Sequence, residues 1–254
     1  MDDAQLLRYS RHILLPELGV DAQERFAAAH ALVVGAGGLG APAAQFLAAA
    51  GVGTLTLCDP DTVDLTNLQR QILFATADVG APKVAAAKAR LAAINPEVRI
   101  ETVPARVGPA ELAPLVAAAD VVLDCCDNFA TRHAVNRACV AAGKPLVSGA
   151  AIRFDGQVSV FDPRDPASPC YHCLFGEGEE IEETRCATMG VFAPLVGIVG
   201  STQAAEALKL IAGVGETITG RLLLLDAYAM RWREVNIARD PACPVCGKNG
   251  VRST

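Results

Sequence analysis

The chain carries no surplus of positive charge: its formal net charge is −6. No overall field therefore draws it to nucleic acid or to acidic lipid, and any polyanionic ligand must be held by a local basic cluster. No leader is expected, because the N-terminus MDDAQLLRYSRH opens acidic and lacks the basic-then-apolar order of a signal peptide. Nor does any apolar run reach membrane-spanning length before Gly, Pro or a polar residue breaks it. These absences predict a soluble, cytoplasmic protein with neither nucleic acid nor membrane as partner. Cysteine is what the chain does have. Nine of them, an odd number without an export signal, read as thiols or metal ligands rather than as a disulfide framework.

A length of 254 residues with 52% apolar content suits one large core with appendages better than two full domains. Apolar strand runs at 31–34, 54–59, 98–103, 120–127 and 144–149 alternate with helical stretches at 41–51, 80–96, 109–118 and 128–143. Strands that are continuously apolar, separated by helices, predict an α/β, Rossmann-like fold with a mostly parallel sheet covered on both faces. Beyond residue 150 the pattern changes to an antiparallel part. A hairpin is expected over 151–162, turning at Asp155-Gly156, and a long polar connection over 163–190. An apolar helix at 193–213, with polar residues that spoil a membrane span, reads as a core helix. Two last strands near 221–227 and 231–237 precede the tail CPVCGKNG.

Residues 35–40, GAGGLG, fit G-x-G-x-x-G after a strand and before a helix, with Asp59 ending the second strand to accept from a ribose hydroxyl. Gly35 permits the tight turn, Gly37 lets the backbone approach a phosphate, and Gly40 lets helix pack on strand. The helix N-terminus attracts the anion. On its own this turn fits an oxidoreductase holding NAD as well as it fits an ATP enzyme, and His133 is the evident acid–base candidate for the former. The stretch DPDTVDLTNLQRQ, residues 59–71, weighs against NAD. It gathers Asn67, Gln69, Arg70 and Gln71 at the carboxyl end of the second strand, where ligands of such sheets lie, and Lys83 beside Pro82 can reach the same crevice. Two cations with amides suit ATP phosphates better than nicotinamide, although either cation taken singly reads as solvated surface charge. In DCCDN, 124–128, an aspartate can hold Mg²⁺, while Asp127 or Asn128 can equally cap the helix that follows.

Nine ordered motifs, RYSRHILLPELG, GAGGLG, DPDTVDLTNLQRQ, GAPKV, DCCDN, LVSGAAIRFDGQ, CYHC, APLVGIVGSTQA and CPVC, resemble the ubiquitin-activating-type superfamily, specifically its bacterial MoeB and ThiF members. The likeness runs over nearly the whole chain. It implies one adenylation domain over 1–254, with an N-terminal helical arm (1–30), a nucleotide-binding half (31–150) and a carrier-binding half with a zinc site (151–254). It also implies ATP-dependent adenylation of the C-terminal glycine of a small ubiquitin-like sulfur-carrier protein ending in Gly-Gly, with release of pyrophosphate. The carrier is expected to be of the molybdopterin-synthase small-subunit type, with the thiamine-pathway carrier or another thiolation carrier as the alternative.

Carried over by position, the nucleotide set comprises Gly35, Gly37, Gly38, Gly40, Asp59, Asp61, Thr66, Asn67, Leu68, Gln69, Arg70, Lys83, Asp127 and Asn128, with Asp127 on Mg²⁺. Asn67, Arg70 and Lys83 would contact phosphates. Arg8 and Arg11 match the family's N-terminal arginines, the second of which reaches into the partner subunit's site and so implies a homodimer. No rhodanese-like sulfurtransferase sequence follows CPVCGKNG, so a separate sulfurtransferase is expected in trans.

Spacing alone leaves the C-x-x-C pairs, Cys170 with Cys173 and Cys243 with Cys246, open to readings as two unrelated knuckles or a redox motif, because their separation exceeds that of a compact zinc ribbon. The resemblance makes them one structural zinc site. A closed four-thiolate shell offers no open position for substrate, so this metal would join the tail to the long connection. Cys58, Cys125, Cys126 and Cys139 are expected as buried apolar thiols. Cys186 matches a family cysteine that links covalently to the carrier, although glutamates just upstream disfavour a thiolate. The run 177–183 reads as a solvated acidic loop, with a docking surface for a basic carrier patch as the sharper option.

Overall fold

The structure, a computed structural model, describes residues 1–177 and 189–247. Cys186 and residues 178–183 of the acidic run lie outside the described residues. Three helices form the arm: α1 (Asp3–Arg8), α2 (Ser10–Ile13) and α3 (Gly19–Ala28). Strands β1 (His30–Val34), β2 (Thr54–Cys58), β3 (Arg99–Val103), β4 (Val121–Asp124) and β5 (Leu146–Ile152) follow, joined by α4 (Gly40–Ala49), α5 (Lys83–Ile94), α6 (Pro109–Ala118) and α7 (Phe129–Ala142). β6 (Asp155–Phe161), α8 (Tyr171–Leu174), α9 (Ala193–Ala212), β7 (Arg221–Asp226) and β8 (Arg231–Asn236) complete the order.

All eight strands share one sheet in the order β3-β2-β1-β4-β5-β6-β7-β8. The first five pair in parallel, and the last three run antiparallel from β5 outward. Alternation along β1 shows how both faces are filled: Ala31 and Val33 point into the core under α4, α5 and α9, while Leu32 and Val34 point into the core under α6 and α7. β8 at the far edge has every residue exposed.

The long apolar helix α9 is long and apolar enough to cross a membrane, yet it packs on α4, β5 and β6 and ends at Gly213, whose φ of 64° forms a left-handed cap. Gln203, fully buried on α9, donates to the carbonyls of Asp124 (2.8 Å) and Val147 (3.2 Å) and so locks the helix to β4 and β5.

One expectation needs correction. β5 runs on to Ile152, and the hairpin turns at Arg153-Phe154, not at Asp155-Gly156, because Asp155 already pairs with Ile152. Gly156 is there for packing: a Cβ would lie 2.8 Å from Leu195 Cδ1 and 2.9 Å from Val199 Cγ2, so its absence lets α9 approach. The turn is made instead by Arg153, which holds a left-handed φ of 51°. Within the long polar connection after residue 163, α8 forms a single short helix among the described residues.

Glycine contacts give a paired test of this packing. At Gly53 a Cβ would fall 1.9 Å from the Ala27 carbonyl oxygen, whereas at Gly197, inside α9, it would meet nothing within 4 Å. Gly53→Ala should lower stability by about 1–3 kcal/mol through overpacking. Gly197→Ala should raise it by about 0.5–1 kcal/mol through the loss of helix-interior glycine entropy. Urea unfolding midpoints measure both signs.

Candidate functional site

A cavity of about 820 Å³ opens at the carboxyl ends of the parallel strands, where the glycine turn, the 59–71 stretch, the loop after β4 and the β5–β6 hairpin converge. Its floor is built by the glycines. Gly35 has a φ of 96°, and a Cβ there would strike the Cys125 carbonyl at 2.6 Å; at Gly40 a Cβ would sit 1.8 Å from the Gly35 carbonyl. These two glycines close the turn on itself. At Gly37 a Cβ would meet only the Gln71 amide, at 3.5 Å, so packing does not require glycine there; what it leaves is open cavity against backbone, the cradle a phosphate needs. Asp59 fastens the turn from below, accepting from the backbone N–H of Ala36 (2.8 Å) and of Asp61 (2.9 Å). Burial pushes its carboxyl up from the usual range, and Lys83 opposes that.

Charge in the cavity divides into committed and uncommitted groups. The Lys83 Nζ lies 2.9 Å from Asp61 Oδ2 and 3.9 Å from Asp59 Oδ1, with its side chain buried. Arg132 is buried too, 3.3 Å from Asp124. It also donates to the carbonyls of Cys126 (2.6 Å) and Gly149 (2.9 Å), so one guanidinium joins the loop after β4 to the middle of β5. Ser148 Oγ donates to Asp124 at 2.8 Å and Cys126 Sγ at 2.7 Å, which completes the shell of that buried carboxylate. By contrast, Arg70 donates only to the Thr66 carbonyl (3.1 Å), and Arg106 and Arg153 have no side-chain partner among the described residues. Asp127 is exposed in the cavity, likewise without a partner among the described residues.

Of the sequence-predicted residues, Gly35, Gly37, Gly38, Asp59, Asp61, Gln69, Arg70, Lys83, Asp127 and Asn128 line the cavity. Gly40 underlies it. Thr66, Asn67 and Leu68 do not line it: Asn67 and Thr66 close a capping box with Asp64 at a short 3₁₀ turn, Leu65–Asn67. The cap of α7 falls to Asn128, whose side chain accepts from Thr131 N at 2.9 Å, leaving Asp127 free. Arg11 is exposed on α2, away from the cavity lining. Cys126 corrects an expectation. It is not a core thiol but a partly exposed cavity residue in the loop after β4, its pKa pushed well up by burial and by Asp124. Sequence reasoning missed Arg106, Arg132, Arg153 and Gln157, all of which line the cavity. His133, the acid–base candidate of the NAD alternative, is buried on α7 and does not line it.

The two C-x-x-C pairs meet. Cys170 Sγ lies 3.7 Å from Cys243 Sγ and Cys173 Sγ 3.4 Å from Cys246 Sγ, and all four sulfurs stand within 4.8 Å of one another. Cys173 is pulled down, to about 4, by hydrogen bonds from Cys170, whereas Cys170 is driven up by the same contact and Cys246 by burial. So close a set of thiols cannot ionise together without a cation between them, and a tetrahedral divalent ion with thiolate ligands fits this donor set.

Comparisons with known proteins agree with this geometry. A model of the ThiF family matches residues 9–245. The chain is 49% identical over 251 residues to the molybdopterin-synthase adenylyltransferase of Escherichia coli K12, covering 98% of this chain and 99% of that one. It is 46% identical over 247 residues to the sulfur carrier protein ThiS adenylyltransferase of the same organism, covering 97% of each. Among solved structures, E. coli MccB with ATP superposes with a TM-score of 0.82 at 26% identity, over 94% of this chain and 73% of that one.

The Asp124–Arg132 pair gives a stability test separate from activity. Arg132→Met strands a buried carboxylate and should destabilise the fold by about 3–5 kcal/mol. Urea denaturation measures this, and a loss below about 1 kcal/mol would show that Ser148 and Cys126 suffice for Asp124.

Proposed function

The chain belongs to the ThiF family, and on that premise we propose that it adenylates the C-terminal glycine carboxylate of a small ubiquitin-like sulfur-carrier protein, using ATP and releasing pyrophosphate. One observation carries this: a glycine-floored cavity in which Arg70, Arg106 and Arg153 have no carboxylate partner among the described residues, beside the free carboxylate of Asp127.

The carrier's terminal carboxylate is already ionised at pH 7, so its attack needs no general base. A carboxylate oxygen bonds to the α-phosphorus, the bond from that phosphorus to the oxygen bridging the β-phosphate breaks, and pyrophosphate leaves with its electron pair. The obstacle is electrostatic, since an anion must approach a polyanion. Arg70 and Lys83, supplemented by Arg106 and Arg153, lower that repulsion and stabilise the leaving group. Asp127, with its neighbour Asn128, would hold Mg²⁺, which would supply positive charge to offset that of the phosphates when bound. The four cysteines would hold structural zinc, tying the segment at 243–246 to α8 and taking no part in the chemistry.

Beside the cavity, Phe154 stacks on Phe192 with centroids 5.1 Å apart and meets Tyr228 edge-on at 5.4 Å. These three form an apolar strip in which Phe154 and Phe192 are next in sequence to Arg153 and Val191, which line the cavity, and Met230 and Trp232 on the same β7–β8 hairpin as Tyr228 are exposed apolar residues. Such a strip suits a small folded carrier whose C-terminal tail enters the pocket. The molybdopterin-synthase type of carrier is favoured, with the thiamine type as alternative. We place the work in the cytoplasm, where thiols stay reduced. A homodimer in which Arg11 reaches the partner's site, and a separate sulfurtransferase acting on the adenylate, belong to the same proposal.

Carrier-dependent ATP–pyrophosphate exchange tests it. Arg70→Ala and Asp127→Ala should each lower exchange by about 10²–10³-fold. Exchange retained in either variant removes that residue from the mechanism, and the carrier that supports wild-type exchange identifies the pathway.

A further inference from the structure

Outside the cavity and the four-cysteine cluster, one more group of metal-ligand side chains is drawn together among the described residues. His133 on α7, His172 in α8 and Glu177 just beyond α8 each place a donor atom within 4.8 Å of the other two. His133 is 5% exposed and lies edge-on to His172, with ring centroids 5.7 Å apart, and edge-on to Tyr171 at 5.3 Å. The Nδ1 atoms of both histidines are buried without a hydrogen-bond partner among the described residues. Burying a polar nitrogen unpaired is unfavourable by about 1–3 kcal/mol, and two side by side call for a common partner. Glu177 is the only carboxylate among the three: its Oε1 lies 3.7 Å from His133 Nδ1 and also meets Arg137 Nη1.

We propose that His133, His172 and Glu177 form a second metal site, distinct from the four cysteines, that takes one first-row divalent transition ion of the zinc class. Two imidazoles and a carboxylate are a donor set of that class. Ligands of one tetrahedral ion with bonds of about 2.0–2.1 Å stand roughly 3.3 Å apart, close to the 3.7 Å separation of His133 and Glu177. The set differs chemically from its neighbour. Four thiolates close their shell, whereas three protein ligands leave a position for water or another donor. Glu177 would exchange its hold on Arg137 for the ion, or share it. The ion would join α7, which starts at the cavity residue Phe129, to the α8 segment that also carries Cys170 and Cys173. Nothing here depends on the adenylation proposal.

The test uses full-length protein, free of any polyhistidine tag and loaded with one zinc per chain, titrated with Co²⁺ and followed by visible absorption. One further equivalent of Co²⁺ should bind and give d–d bands without thiolate-to-cobalt charge transfer. His133→Gln and Glu177→Gln should each weaken binding at least about tenfold while the first zinc is retained. Glu177 is partly exposed, so Glu177→Gln serves even if the buried histidine variant does not fold. No cobalt bound beyond the zinc, a charge-transfer band showing cobalt on the cysteines, or unchanged affinity in Glu177→Gln would each overturn the site.

Discussion

Two anions have to meet in one pocket, and the placement of charge around it follows from that constraint. An unpaired buried cation is costly, so the two buried ones, Lys83 and Arg132, are matched by Asp59 with Asp61 and by Asp124. They give the site its shape: Lys83 binds the second strand's loop to α5, and Arg132 binds the loop after β4 to β5. Arg70, Arg106 and Arg153 sit where water can solvate them and can turn toward an incoming polyanion without first breaking an ion pair among the described residues. With a net charge of −6, this local concentration of cations is what would let an acidic chain hold a triphosphate under the proposed function.

What could be seen in the sequence was whatever is local along the chain. The glycine turn, Asp59 and the alternation of strand and helix are short-range patterns, and the structure has them where the patterns lie. Arg106, Arg153 and Gln157 reach the cavity only because β3, β5 and β6 end or turn at the same side of the sheet, which no spacing reveals. Arg132 was hidden in an ordinary helical stretch. Asp155-Gly156 misled because Asp-Gly is a strong turn signal, while the glycine answers to Leu195 and Val199 across the core. Asn67 was expected on the phosphates and Thr66 in the nucleotide set; their side chains are engaged with Asp64 in a capping box.

The cysteines show the same limit from another side. Two pairs separated by about a quarter of the chain come together because α8 and the 243–246 segment pack beside α7. His133 and His172 come together beside that region by the same route, and no spacing in the sequence pairs them. Packing of distant segments, rather than motif spacing, therefore decides which titratable groups share a site.

The most direct check of the central claim is the structure of the protein with a non-hydrolysable ATP analogue and Mg²⁺. The account predicts the triphosphate along the glycine turn, the Arg70 guanidinium swung from the Thr66 carbonyl onto the phosphates, Lys83 facing them, and Asp127 on the metal side. A triphosphate bound elsewhere, with Arg70 still on Thr66 and Lys83 directed only at Asp59 and Asp61, would contradict it.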